Sequence, residues 1–179
     1  MGLNLDLNRD HFSLFGLPVS YTIDLAELGS CYRELQRQFH PDRFVAKPER
    51  EQLLAVQYAS LVNEAYETLK SPLLRARYLL ELSGRANNSE TTTIRDEEFL
   101  MQQIDLREQM SEIEDADVPF ERCNELENKV ETELQAQQEL FQQEYPDGDL
   151  EKAENAVDKM QFFGNLLSQL ESIEDSLSD

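Results

Sequence analysis

The residues of this 179-residue chain best suited to chemistry are the imidazole and carboxylate of His40-Pro41-Asp42. An imidazole beside a carboxylate is the arrangement of a general base and the group that orients it, which invites a hydrolase reading. That reading needs an enclosed pocket and a nucleophile within reach, and neither Ser nor Cys lies near the tripeptide in sequence. Recognition fits better. Pro41 fixes the backbone, and His40 and Asp42 project from a loop tip where a partner can reach them. Arg33 and Arg37, one helical turn apart, join Arg43, Lys47 and Arg50 in a basic collar around the loop. On a chain of net charge -21 such a collar is a docking surface for an acidic partner.

Two amphipathic helices must hold this loop. Asp24, with Glu27 three residues on, makes a capping-box-like start, and Leu25, Leu28, Tyr32, Leu35 and Phe39 recur at spacings of three and four as one buried stripe. The helix must stop near Phe39, because Pro41 disfavours helical geometry at His40 and has no amide hydrogen to donate. A loop to about Lys47 follows. Pro48 suits a first helical position, and Leu54, Tyr58, Leu61, Ala65 and Leu69 carry an apolar face to Ser71-Pro72. An antiparallel hairpin with the tripeptide at its turn is the result. A short turn or helix around His11 to Phe15, ended by Gly16-Leu17-Pro18, precedes it, and another short helix from Leu73 to Leu82, closed by Gly84, follows it.

Residues 85–95, rich in Asn, Ser and Thr, show no periodicity and read as a linker between a unit at 9–84 and another at 96–179. In the second unit Asp96 caps a helix to about Ile113, Pro119 opens one to about Tyr145, and Asp149 caps a third towards Leu177. Short connections at 114–118 and 146–148 make these a three-helix bundle. The chain is therefore all-α, since no stretch alternates with β-branched enrichment over strand length.

On the first bundle helix Phe99, Leu106, Met110 and Ile113 fall within one narrow stripe, while Leu100, Met101 and Ile104 point the other way, bordered by Asp105 and Glu108. A bundle helix needs one apolar face, so the second is either covered by the first unit or left for a partner. Phe162 repeats the pattern, lying outside the inward side that Ala156, Val157, Met160, Phe163 and Leu167 define. Both patches read as exposed and able to form one surface.

Charge excludes several functions. Residues 1–84 hold nine Lys and Arg against eleven Asp and Glu, whereas 85–179 hold seven against twenty-six, which suits neither phosphate backbone nor nucleic acid and points to a protein partner. Cys31 and Cys123 are isolated, without the CxxC spacing of a zinc site, and read as buried thiols in a reducing compartment. No metal site is expected. The first ten residues carry no basic n-region and no long apolar run, so neither a leader nor a membrane span is expected.

Three motifs carry a family resemblance. Phe12-Ser-Leu-Phe-Gly-Leu-Pro, Tyr32-Arg-Glu-Leu-Gln-Arg-Gln-Phe-His-Pro-Asp and Val62-Asn-Glu-Ala-Tyr-Glu-Thr-Leu with the following Ser-Pro-Leu resemble a J domain over about 9–84. Arg95-Asp-Glu-Glu-Phe-Leu-Met-Gln-Gln-Ile-Asp-Leu-Arg-Glu resembles the C-terminal domain of the HscB family of iron-sulfur co-chaperones. The resemblance implies a bacterial-type cytoplasmic adaptor without a catalytic site or cofactor of its own. His40, Pro41, Asp42, Arg33, Arg37 and Arg43 would engage a 70-kDa heat-shock-type ATPase, HscA-like, and stimulate its ATP hydrolysis. Leu100, Met101, Ile104, Asp105, Glu108 and Phe162 would bind an IscU-like iron-sulfur scaffold for cluster assembly and transfer. A different client would use the same J domain. Two positions depart from the family pattern: Arg43 stands where most J domains have Lys, and Gln161 where a basic residue is expected before Phe162.

Overall fold

A computed structural model describes residues 9–85, 96–113 and 115–178. The described residues form seven α-helices and no strand: α1 His11–Phe15, α2 Leu25–Phe39, α3 Glu49–Lys70, α4 Pro72–Leu82, α5 Glu97–Ser111, α6 Pro119–Asp147 and α7 Leu150–Ser178. The chain divides into two compact units, Met1–Gly84 and Arg85–Asp179. Residues 86–95 of the linker expected at 85–95, and Glu114 in the first bundle connection, lie outside the described residues.

In the first unit the cap signals act as their chemistry dictates. Asp10 accepts from the Ser13 amide to start α1, and Gly16, at φ 69°, ends it in the left-handed region that an L side chain rarely adopts. Asp24 accepts from the amides of Ala26 and Glu27 at the head of α2. Tyr32 stacks on Tyr66 at 4.0 Å and Phe39 meets Tyr58 at 4.4 Å, so residue numbers rise along α2 as they fall along α3. That is an antiparallel hairpin. Phe12, Leu28, Ala55, Val62, Ala65, Leu69, Ala76 and Leu79, each at most 1 % exposed, form the core shared by α1, α2, α3 and α4. His11 stacks on Tyr78 at 4.2 Å and donates its amide to the tyrosine hydroxyl at 3.0 Å, tying α1 to α4.

Several expectations need correction. Of the stripe expected to be buried on α2, Leu28 is fully buried, Tyr32, Leu35 and Phe39 are half-buried, and Leu25, the first helical residue, is 53 % exposed. The buried line of α3 runs through Ala55, Tyr58, Val62, Ala65 and Leu69, so Leu54 and Leu61 flank the core half-buried while Ala55 and Val62 fill it. Pro48 is the N-cap of α3 rather than its first residue.

In the second unit α5, α6 and α7 enclose a core of Phe99, Leu106, Ile113, Cys123, Leu126, Val130, Phe163, Leu166 and Leu170. Leu166 takes the inward place expected of Leu167, which packs at the margin. The bundle's long helices, α6 and α7, each have 29 residues and so extend about 43 Å. α6 runs through Pro146 to Asp147 rather than ending at Tyr145. The missing donor of Pro146 falls in the last turn, where the amides of Gly148 and Asp149 reach the carbonyls of Tyr145 and Glu144. Gly148, at φ 82°, then reverses the chain, and Asp149 caps α7 by accepting from the Lys152 amide at 3.2 Å. None of the described helices is long and apolar enough to cross a membrane.

Candidate functional site

The tripeptide lies where α2 gives way to a turn of 3₁₀ helix over Pro41–Phe44. His40 ends α2 with extended backbone, φ -57° and ψ 128°, as the following proline requires. Its Nδ1 accepts from the Asp42 amide at 3.3 Å and lies 3.5 Å from an Asp42 carboxylate oxygen. The two side chains are 53 % and 85 % exposed, so the imidazole and carboxylate stand on the surface rather than in a pocket.

Two devices hold the turn from below. Phe44, 8 % exposed, is its buried anchor, and the Arg43 guanidinium donates to the Arg37 carbonyl at 3.0 Å, capping the end of α2 where the helix dipole is negative. The Gln52 side chain then donates to the carbonyls of Val45 and Lys47 at 3.2 and 2.8 Å, fastening the rest of the loop to the first turns of α3. Of the collar expected of Arg33, Arg37, Arg43, Lys47 and Arg50, all exposed, the three arginines nearest in sequence have divided duties. Arg43 is spent on the end of α2. Arg37 pairs with Glu34. Arg33 and Arg37 also line a groove of about 880 Å³ between α1 and α2, joined there by Arg9 and the half-buried Cys31. Arg9 escaped the sequence reading because it precedes the first helix and only folding carries it to the collar.

On α5, Leu100, Met101 and Ile104 are 56, 66 and 53 % exposed, while Phe99 and Leu106 on the opposite side are buried at 3 and 0 %. The helix therefore presents a second apolar face beside its core face. Asp96 accepts from the Phe99 amide at 2.9 Å and pairs with Lys159 at 2.7 Å, which pins the start of α5 to α7; these bonds hold the Asp96 carboxyl below the usual carboxylate range. Lys159 also lies 4.9 Å over the Phe99 ring.

Asp105 and Glu108 border the face as expected, both exposed, with Asp105 engaged by Gln109 at 2.7 Å and Lys129 at 3.3 Å. These contacts depress its pKa. Phe162 departs from expectation. It is half-buried, edge-on to Phe99 of α5 at 5.5 Å and to its own chain neighbour Phe163 at 5.4 Å, the arrangement aromatic rings favour. Its outer side carries the Arg107 guanidinium at 5.6 Å, so a cation reaches this ring although position 161 is neutral.

The comparisons with known proteins divide the chain at the same place. Residues 10–78 match the DnaJ domain family, and residues 95–171 match the family described as the HSCB C-terminal oligomerisation domain. A curated relative, the co-chaperone protein HscB homolog of Vibrio atlanticus, is 41 % identical over 94 % of this chain and 98 % of its own. Among solved structures, chaperone HscB from Vibrio cholerae superposes with a TM-score of 0.88 at 37 % identity, covering 94 % of this chain and 99 % of that one. The human co-chaperone protein HscB gives the same TM-score at 30 % identity, covering 95 % of this chain and 84 % of that one. A J domain with its loop intact, a matching second domain and near-complete coverage at this identity lead to one conclusion: the chain belongs to the HscB family of co-chaperones.

Proposed function

We propose that this co-chaperone joins an HscA-like ATPase of the 70-kDa heat-shock class to an IscU-like iron-sulfur scaffold in a bacterial cytoplasm. His40, Pro41 and Asp42, with Arg33 and Arg37 beside them, meet the ATPase and stimulate its ATP hydrolysis. Arg43 contributes to that contact from its place on the end of α2. Leu100, Met101 and Ile104, with Asp105, Glu108 and the outer side of Phe162, hold the scaffold for cluster assembly and transfer. The J protein contributes no bond-making group of its own; it presents a client to the ATPase and raises the client's local concentration there, because one chain carries both contacts.

The observation that carries this reading is the exposed triad of α5, three large apolar side chains each more than half exposed on a unit that has already buried its own core. Water would not leave such a face bare without a use for it, and aliphatic anchors bordered by carboxylates suit a protein partner. The experiment is steady-state ATPase of the cognate chaperone with this protein, with the purified scaffold, and with both. Synergy is expected. Stimulation by this protein alone, unaltered by the scaffold, would assign the J domain a different client.

A further inference from the structure

A second bare apolar face lies on the J domain. Val45, Leu53 and Val56 are 72, 59 and 51 % exposed, and local geometry brings them together. Leu53 and Val56 stand three residues apart on α3, and Gln52, beside Leu53 and one turn before Val56, donates to the Val45 carbonyl at 3.2 Å. The face runs on through Gln57 and Ser60, both exposed. From Gln52 to Asn63 the helix carries no charged residue, in a chain of which 30 % is charged. Its other side, through Ala55, Tyr58 and Val62, already serves the core of the unit, so folding makes no use of this one.

The charges at its border say what covers it. Lys47, Glu49, Arg50 and Glu51 lie between Val45 and Leu53, two of each sign, and among the described residues none of the four is in an ion pair. Such a border is complementary to itself. A two-fold axis through the first turn of α3 sets Leu53 of one copy on Val45 of the other, and Glu49 of each against Arg50 of the other. The second unit, with seven cations against twenty-six acidic groups, repels its own copies. We infer that this face of α3 is an interface between two copies of this chain. Three apolar side chains make a small interface, so the dimer is weak and forms only at high concentration. Val45 follows directly on the Pro41–Phe44 turn, so a copy seated there crowds His40 and Asp42. On the chaperone reading above, the paired form is withheld from the ATPase and dilution releases it.

The test is sedimentation equilibrium of the full chain over a wide concentration range, with steady-state ATPase of the cognate chaperone beside it. The wild-type mass should rise towards twice that of the monomer. Leu53→Gln should weaken association about tenfold, the size of one truncated anchor, with melting unchanged because Leu53 is exposed. Arg50→Glu and Glu49→Arg should each be monomeric alone, yet an equimolar mixture of the two should associate, since opposite charges then face each other across the axis. A wild type that stays monomeric at the highest concentration overturns the interface. Association that survives undiminished in Leu53→Gln and in both charge variants overturns it as well, by moving the contact elsewhere. Loss of ATPase stimulation in Leu53→Gln, at concentrations where the wild type is monomeric, assigns the face to the chaperone and overturns its assignment to a second copy. Absence of stimulation by the wild type at every concentration refutes the chaperone reading and the withholding with it, while sedimentation alone decides the interface.

Discussion

Phe44→Ala separates the shape of the tripeptide loop from its chemistry. Phe44 is 8 % exposed in a turn whose other members are all exposed, so it is the apolar contact that seats Pro41–Phe44 on the rest of the unit. Truncating a buried phenylalanine to alanine destabilises a domain by about 3 to 5 kcal/mol, and a site at the surface, free to collapse, belongs near the lower figure. A loss of about 3 kcal/mol lowers the folding constant roughly a hundredfold. With a urea slope of about 1.5 kcal/mol/M, the midpoint falls by about 2 M. The chain offers a selective probe: it has no tryptophan, and five of its six tyrosines, at 21, 32, 58, 66 and 78, lie in the first unit, with only Tyr145 in the second. Tyrosine fluorescence therefore follows the J domain while circular dichroism follows both units. The expected result is an early fluorescence transition in Phe44→Ala, a circular-dichroism phase for the bundle that does not move, and weakened ATPase stimulation at temperatures where the variant is still folded. An unchanged fluorescence midpoint would refute the anchoring role.

Four further outcomes are expected. His40→Gln should leave both unfolding transitions in place and abolish ATPase stimulation, since the imidazole is half exposed and carries none of the core; retained stimulation would remove the loop from the chaperone contact. Leu100→Ala with Ile104→Ala should weaken scaffold binding without lowering the melting temperature, whereas Phe162→Ala should also destabilise the bundle by about 1 to 2 kcal/mol because its ring packs on Phe99 and Phe163. Burial depresses the His11 imidazole below its ordinary range against the opposing pull of Glu64, Asp10 and Glu81. The unfolded chain thus binds the extra proton first: J-domain stability is complete above the unfolded imidazole value and declines as pH falls from about 7 through about 6. His11→Phe, which keeps a ring on Tyr78, should flatten that slope. Burial, then Glu174, Glu131 and Glu171, raise the Glu127 carboxyl, so its ionisation at neutral pH opposes folding and Glu127→Gln should raise the melting temperature of the bundle.

Much of the architecture could be read from residue types because local chemistry decides it. Asp24, Asp96 and Asp149 cap where a short acceptor meets free amides, and Gly16 and Gly148 sit where the chain must turn left-handed. The misses have a common origin in tertiary contact. Periodicity places a residue on a helical face to within one position, which is why Ala55 and Val62, and Leu166 rather than Leu167, were shifted by a residue. The pattern cannot say that the first residue of a helix stays exposed, as Leu25 does. Nor does a proline rule see that Pro146 falls in a last turn, where the Gly148 and Asp149 amides close the helix on other carbonyls.

At the site, His40, Pro41 and Asp42 and the α5 triad were legible because each breaks a local rule, a loop with two polar projections and a helix with one apolar face too many. Phe162 was legible only in part, since its half-burial depends on where Phe99 stands on another helix. Arg9 and Arg107 carried no local signal; each acquires its neighbours from a different helix.

The bond from the Asp42 amide to the His40 ring has an entropic consequence. Fixing the backbone of a loop residue costs about 1 to 2 kcal/mol, so a disordered tripeptide would surrender several kcal/mol of any contact it made. Here the turn, its Phe44 anchor, the Arg43 cap and the Gln52 fastening are in place in the unbound chain. The contact of the Asp42 amide with Nδ1 holds the imidazole against the turn, so the loop meets its partner with the ring already placed. The ordering was done when the domain folded, so a partner that meets this loop need not supply it at each encounter.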